Sequence, residues 1–221
     1  MQQAQLAYQP KLGEAKIVWG HFADERSFCI DRTGFFLNNK CFFLPIAPDE
    51  LCALLNSTLS WACLVALARI KRGGYFEAEA QYVGQLPVPH TPPDARARLA
   101  VLGRACTDAA QQRFDIQSAV RRRILDLAPP ERRKLTGKLL DWHELDFAAF
   151  RKAVKGAFRD DIPVRERGQW EAYLGENAAR IRELSDRIAA AEREIDQIVY
   201  GLFNLTPDEI ALLEASLEGQ Y

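Results

Sequence analysis

The sequence predicts an α+β protein, with a mixed α/β region over residues 1–90 and a mainly helical extension over residues 91–221. Three observations predict it. Before residue 90, short runs rich in aromatic and β-branched residues alternate with turn residues. Thr91-Pro92-Pro93-Asp94 then breaks the chain, because proline lacks an amide donor and restricts the residue before it. Beyond the break, apolar residues recur at helical spacing.

The first elements are strands. Ala15–Trp19, Ser27–Ile30, Phe35–Leu37 and Cys41–Leu44 are short, apolar and bounded by turns. Asp31-Arg32-Thr33-Gly34 suits a hairpin turn in which Gly34 takes positive φ, and Asn38-Asn39 suits a second, since Asn tolerates the left-handed region. Pro48-Asp49 opens an apolar helix that ends before Gly73-Gly74. Tyr75 to Val83 reads as extended, and Pro87-Val88-Pro89 closes the unit.

The second part reads as helices. One covers Asp94 to about Leu127, ended by Ala128-Pro129-Pro130, and shorter ones cover Glu131–Leu140 and Leu145–Phe158. A long helix spans about residues 163–203. In it Leu174, Ile181, Ile188, Ile195 and Leu202 recur every seven residues, with Asn177, Leu184, Ala191 and Ile198 at the complementary offset. Such a seam needs a partner. The Asp94–Leu127 helix supplies one, giving an antiparallel helical hairpin, and a homodimer through the heptad helix is the competing arrangement. Thr206-Pro207-Asp208-Glu209 has the residues of a capping box for a short C-terminal helix.

Composition bounds the function. The net charge of -1 does not by itself favour a nucleic-acid partner. Its distribution matters more: residues 101–160 carry 13 basic and 8 acidic side chains, whereas residues 161–221 carry 6 and 13. A neutral total therefore hides a basic stretch beside an acidic one. Cys29, Cys41, Cys52, Cys63 and Cys106 form no C-x-x-C pair, so neither a disulfide framework nor a zinc site is expected, and a reducing cytoplasm is. The N-terminal MQQAQLAYQP has no apolar core of a signal peptide. Leu51 to Ala68 runs 18 residues without a charge, but Asn56, Ser57, Thr58 and Ser60 interrupt it. A buried core helix is expected there, with no membrane contact.

Catalytic signatures are missing. There is no phosphate-binding G-x-x-x-x-G-K-[ST], no G-x-G-x-x-G, no H-E-x-x-H and no G-x-S-x-G. Glu192, Glu194 and Asp196 lie on the heptad helix and read as a solvated face. Glu77 and Glu79 share one face of an extended segment, a start for a metal site, but the local sequence offers no third ligand.

Three stretches, taken in order, carry a resemblance. The first is Lys16-Ile17-Val18-Trp19 with Gly34-Phe35-Phe36-Leu37-Asn38. The second is Leu54-Leu55-Asn56-Ser57, Trp61, Arg72-Gly73-Gly74-Tyr75-Phe76, Gln81-Tyr82-Val83 and Leu86-Pro87-Val88-Pro89. The third is Glu194-Ile195-Asp196, Val199-Tyr200-Gly201-Leu202-Phe203 and Leu205-Thr206-Pro207-Asp208-Glu209-Ile210. Together they resemble the TaqI-like C-terminal specificity (target recognition) domain, and the helical tail after it, of type IIG restriction–modification enzymes and related adenine-specific DNA methyltransferases. The resemblance implies a target recognition domain at 1–90 that reads double-stranded DNA. It implies a partner, an adenine-specific methyltransferase domain or subunit, that binds S-adenosylmethionine and carries the [DN]-P-P-[YFW] catalytic motif. Pro92-Pro93 and Pro129-Pro130 lack that motif's flanking polar and aromatic residues, so this chain is expected to hold neither catalysis nor cofactor.

A DNA reader needs phosphate contacts for affinity and side chains at base edges for specificity. Arg69, Lys71 and Arg72, followed by Gly73, Gly74 and Tyr75, offer cations at a helix end, glycines that admit a phosphate, and an aromatic. The competing reading is that the cations cap the helix dipole and the glycines end the helix. Arg32, Asn38 and Lys40, in the two turns, are further candidate contacts. The heptads favour a different function, a helical interaction or scaffold module without DNA affinity.

Overall fold

The computed structural model describes residues 9–71 and 74–218. The chain is α+β and divides into two compact units, one running to Thr107 and resuming at Ala190, the other Asp108–Ala189. The sequence suggests a boundary at residue 91. The α/β unit instead includes the start of one long helix and the end of another, because their apolar residues complete its core.

The first unit is built on a three-stranded antiparallel sheet. Its central strand β1 (Lys16–Gly20) begins a series that continues with β2 (Phe22–Ala23), β3 (Cys29–Asp31) and β4 (Cys41–Leu44). The order is β3-β1-β4, with Lys16 opposite Asp31 and Trp19 opposite Phe42. Ile17 and Trp19 enter the core with Phe28, Leu55, Trp61, Leu64 and Phe76. The Trp19 indole donates to the carbonyl of Ala78 at 2.7 Å, which satisfies its one polar atom. A second, two-stranded ribbon pairs β2 with β5 (Phe76–Glu77).

The expected strand at Phe35–Leu37 does not form. Both edges of β1 are already taken by β3 and β4. The Asp31 carboxylate also accepts from the Thr33 and Phe35 amides, at 2.8 and 2.9 Å, which turns the chain off the ladder. Gly34 completes this turn at φ 77°, where a Cβ would stand 2.7 Å from the Gly13 carbonyl oxygen.

The apolar stretch forms two helices, α1 (Asp49–Leu55) and α2 (Thr58–Leu67), bent by 58°. The bend has a polar cause. Asn56 turns its amide to Phe28, accepting from its N–H at 3.1 Å and donating to its C=O at 2.8 Å. Ser57, in extended conformation, accepts from Ser60 N–H and caps α2. Among the described residues no single helix is long and apolar enough to cross a membrane. Of the segment expected to be extended from Tyr75 to Val83, only β5 is a strand, and Ala80–Val83 is a helical turn.

Helix α3 (Pro93–Leu125) contributes Leu99 and Leu102 to this unit. They pack in a cluster with Ala53, Leu54 and Leu59 and with Ile195, Val199 and Tyr200. Gly103 permits the close approach: a Cβ there would lie 2.7 Å from the Asp49 carbonyl oxygen.

The second unit holds the rest of α3, then α4 (Phe147–Phe158), then most of α5 (Arg167–Leu202). Its core gathers Val120, Ile124, Leu139, Trp142, Phe150, Val154, Phe158, Leu174 and Ile181. The helix expected at Glu131–Leu140 reduces to a 3-10 turn at Pro130–Arg132 and a single turn at Gly137–Leu140. Asp146 caps α4 through the Ala149 amide at 2.7 Å, and Arg159 ends it in the left-handed conformation.

Helices α3 and α5 run antiparallel within each unit, with Arg98 bonded to Glu194 in the first and Arg113 donating to Ser185 in the second. The seam is spent within the chain: Leu174, Ile181, Leu184 and Ile195 are buried. Finally α6 (Pro207–Glu218) follows the expected capping box, with Glu209 accepting from the Thr206 amide and hydroxyl at 2.8 Å each.

Candidate nucleic-acid interface

The best cationic candidates sit on a β-hairpin that starts just after a helix end. Helix α2 stops at Leu67, and Ala68 is extended with ψ 154°. The chain then runs out and returns. Glu77 N–H donates to Arg69 C=O at 3.0 Å, Lys71 N–H to Tyr75 C=O at 2.7 Å, and Ile70 bridges Phe76. Gly74, at φ 82°, makes the turn with its N–H on Lys71 C=O at 3.2 Å, which is the conformation glycine is suited to. Arg72 and Gly73 lie outside the described residues. Arg69 directly follows the Ala68 cap of α2 and stays within reach of the helix C-terminus, whereas Lys71 lies out on the hairpin and pairs with Glu77.

The hairpin presents Arg69, Ile70, Lys71 and Tyr75 to solvent. Ile70 is 70% exposed. Tyr75, across the turn from it, is 44% exposed. Lys71 is not idle: its ammonium lies 2.9 Å from the Glu77 carboxylate.

The turn residues divide. Arg32 pairs with Asp49, whose other carboxylate oxygen accepts from Arg104 at 2.6 Å. Asp49 is buried, so Arg32 is committed to neutralising it at the start of α1. Asn38 accepts from the Lys40 amide at 2.9 Å and so shapes its own turn, without a left-handed backbone. Lys40 remains exposed. Its carbonyl accepts from His21 N–H at 2.8 Å, and the His21 carbonyl accepts from Ala78 N–H at 2.9 Å. Lys40 thus stands beside the base of the hairpin.

Two features escaped the sequence. Phe35 and Phe36, expected in a strand, are 72% and 73% exposed in the loop after the Asp31 turn. His21, remote in sequence from Glu77 and Glu79, lies next to both. Pairing β2 with β5 causes that, and nothing local announces a two-residue strand.

Of the carboxylates expected on a solvated face, Asp196 is drawn in and Glu194 stays exposed in an ion pair. Asp196 accepts from the Thr58 amide and hydroxyl, both at 2.7 Å, and Arg98 grips Glu194 through two bonds. Leu54 of the second stretch quoted above packs in one cluster with Ile195, Val199 and Tyr200 of the third. Burial and the neighbouring Asp196 carboxylate push the Tyr200 phenol up to about 12. Burial pushes the Cys52 thiol up to about 12 and Cys106 to about 11, which leaves both protonated and poor nucleophiles.

A family model described as a domain of unknown function (DUF8810) matches residues 92–199. That match takes in α3, α4 and most of α5 and leaves the hairpin outside. No curated protein and no solved structure matches the chain.

Proposed function

We propose that this chain reads double-stranded DNA for an adenine-specific methyltransferase of a restriction–modification system, with a separate domain or subunit supplying catalysis and the S-adenosylmethionine pocket. One observation carries the reading: the Arg69–Glu77 hairpin, which exposes two cations and a tyrosine at a glycine turn, beside Lys40. Arginine and lysine neutralise phosphates and can bond guanine in the major groove, and a two-stranded ribbon is narrow enough to enter that groove. An enzyme that extrudes a base needs such a grip apart from its base pocket. The protein acts in the cytoplasm, where its unpaired thiols are stable.

The test is duplex binding by Arg69→Glu and Lys71→Glu. Each is expected to weaken binding about tenfold or more, and to lower the salt dependence by about one counterion per lost phosphate contact. Lys155→Glu, exposed on α4, serves as the control and is expected to leave affinity unchanged. Unchanged affinity in both hairpin variants, with both folded, would overturn the assignment of this surface.

A second reading, a helical interaction module without DNA affinity, draws on the exposed Phe35–Phe36 pair, which a protein partner would cover. Its homodimeric form gains little from the heptads, since a second copy would have to displace packing that Leu174, Ile181, Leu184 and Ile195 already make.

A further inference from the structure

We propose that His21, Glu77 and Glu79 form a site for one divalent transition cation of the manganese class, and that Lys71 is its internal competitor. One donor atom from each of the three residues lies within 4.8 Å of the other two. The His21 Nε2 is closed off from solvent and has no hydrogen-bond partner, and it lies 3.6 Å from the Glu79 carboxylate. A ring nitrogen hidden from water, without a hydrogen-bond partner and faced by carboxylates, is in a ligand's environment and not in a solvated one.

The three donors are held by separate, fixed pieces of backbone. His21 bonds through its N–H to Lys40 and through its C=O to Ala78. Its ring stacks on Phe22 at 4.3 Å and meets the Phe42 edge at 5.5 Å. Glu77 lies in β5 opposite Phe22. Glu79 precedes the Ala80–Val83 turn, and its second oxygen accepts from the Gln81 amide at 2.5 Å. Donors around one ion at bond lengths of about 2.1 Å sit roughly 3 to 3.5 Å apart, so closure asks for about an ångström of movement at the donor atoms.

The donor set selects the ion class. Two carboxylates favour a hard divalent cation such as Mn²⁺, one imidazole turns the set from Mg²⁺ and Ca²⁺ toward a transition metal, and three protein ligands leave positions open for water. The site already attracts a cation: the Lys71 ammonium lies 2.9 Å from Glu77 and is half exposed, free to swing out. Two carboxylates against one ammonium leave a negative charge for the metal to neutralise.

The experiment uses Mn²⁺ alone with the full chain, following the free aqua-ion signal by electron paramagnetic resonance. Zn²⁺ is the poorer probe because the exposed Cys29 thiol competes for it. One saturable Mn²⁺ per chain is expected. Glu79→Gln and His21→Ala should each weaken it about tenfold or more, by removing a ligand. Lys71→Met should tighten it several-fold, a gain that misfolding cannot produce. The absence of saturable binding at millimolar Mn²⁺ would overturn the site. So would an affinity that stays the same in Lys71→Met or in Glu79→Gln.

Discussion

Asp31→Asn is expected to destabilise the fold by about 3–5 kcal/mol, because it leaves a buried ammonium without its counter-charge. Lys16 is fully buried, and its Nζ lies 2.6 Å from Asp31 Oδ2 and 2.7 Å from the Leu12 carbonyl oxygen. The two residues face each other across β1 and β3, so the pair sits inside the sheet that organises the α/β unit. The double variant Lys16→Met with Asp31→Asn removes the buried charge along with its partner and is expected to recover part of the loss. Thermal unfolding of wild type and the two variants measures this, and equal midpoints for wild type and Asp31→Asn would contradict it.

The same carboxylate sets an acid limit. Burial alone would raise Asp31, but hydrogen bonds from Lys16 and Thr33 outweigh it and hold the group well below the usual carboxylate range. A depressed folded-state value means the stabilisation is complete above the unfolded value, about pH 4. It is lost as pH falls below that toward the folded value. The decline in stability below about pH 4 should therefore flatten in Asp31→Asn.

Asp196→Ala is expected to cost about 2–4 kcal/mol, the worth of two charge-assisted hydrogen bonds placed at a helix N-terminus. Its carboxylate takes the Thr58 amide and hydroxyl, both at 2.7 Å, at the first residue of α2, and Arg26 stands 3.8 Å away. It thereby ties α5 to α2, two segments that no local interaction would join. Glu192, one turn earlier and 3.9 Å from Arg26, is the contrast. As a half-exposed pair it should cost under about 1 kcal/mol when replaced by alanine. Denaturant unfolding separates the two, and similar losses would show that Asp196 does no more than an exposed charge.

These two carboxylates show where sequence reading stopped. Periodicity identified α3 and α5 to within a few residues, and turn chemistry identified Gly34 and the Thr206 capping box, because those signals are local. Asp196 looked like part of a solvated face because its partner, Thr58, is set by tertiary packing. The bend at Asn56 was invisible for the same reason: hydropathy favours a continuous helix, and only the main chain of Phe28 gives the Asn56 amide its partner.

The candidate site was legible in its residues more than in its geometry. Arg69, Lys71, Gly74 and Tyr75 fall together on one hairpin, although the sequence pattern suggested a helix end. Arg32 looked equally available until Asp49 proved to be buried behind it. Glu77 and Glu79 lacked a third ligand until strand pairing brought His21 alongside.

The central claim, that this chain reads duplex DNA, is tested most directly by binding the whole chain to a randomised duplex pool and sequencing the retained fraction at low and moderate salt. The account predicts one short motif whose enrichment survives moderate salt, since base contacts, unlike phosphate contacts, do not release counterions. A pool left unretained at both salts would contradict it.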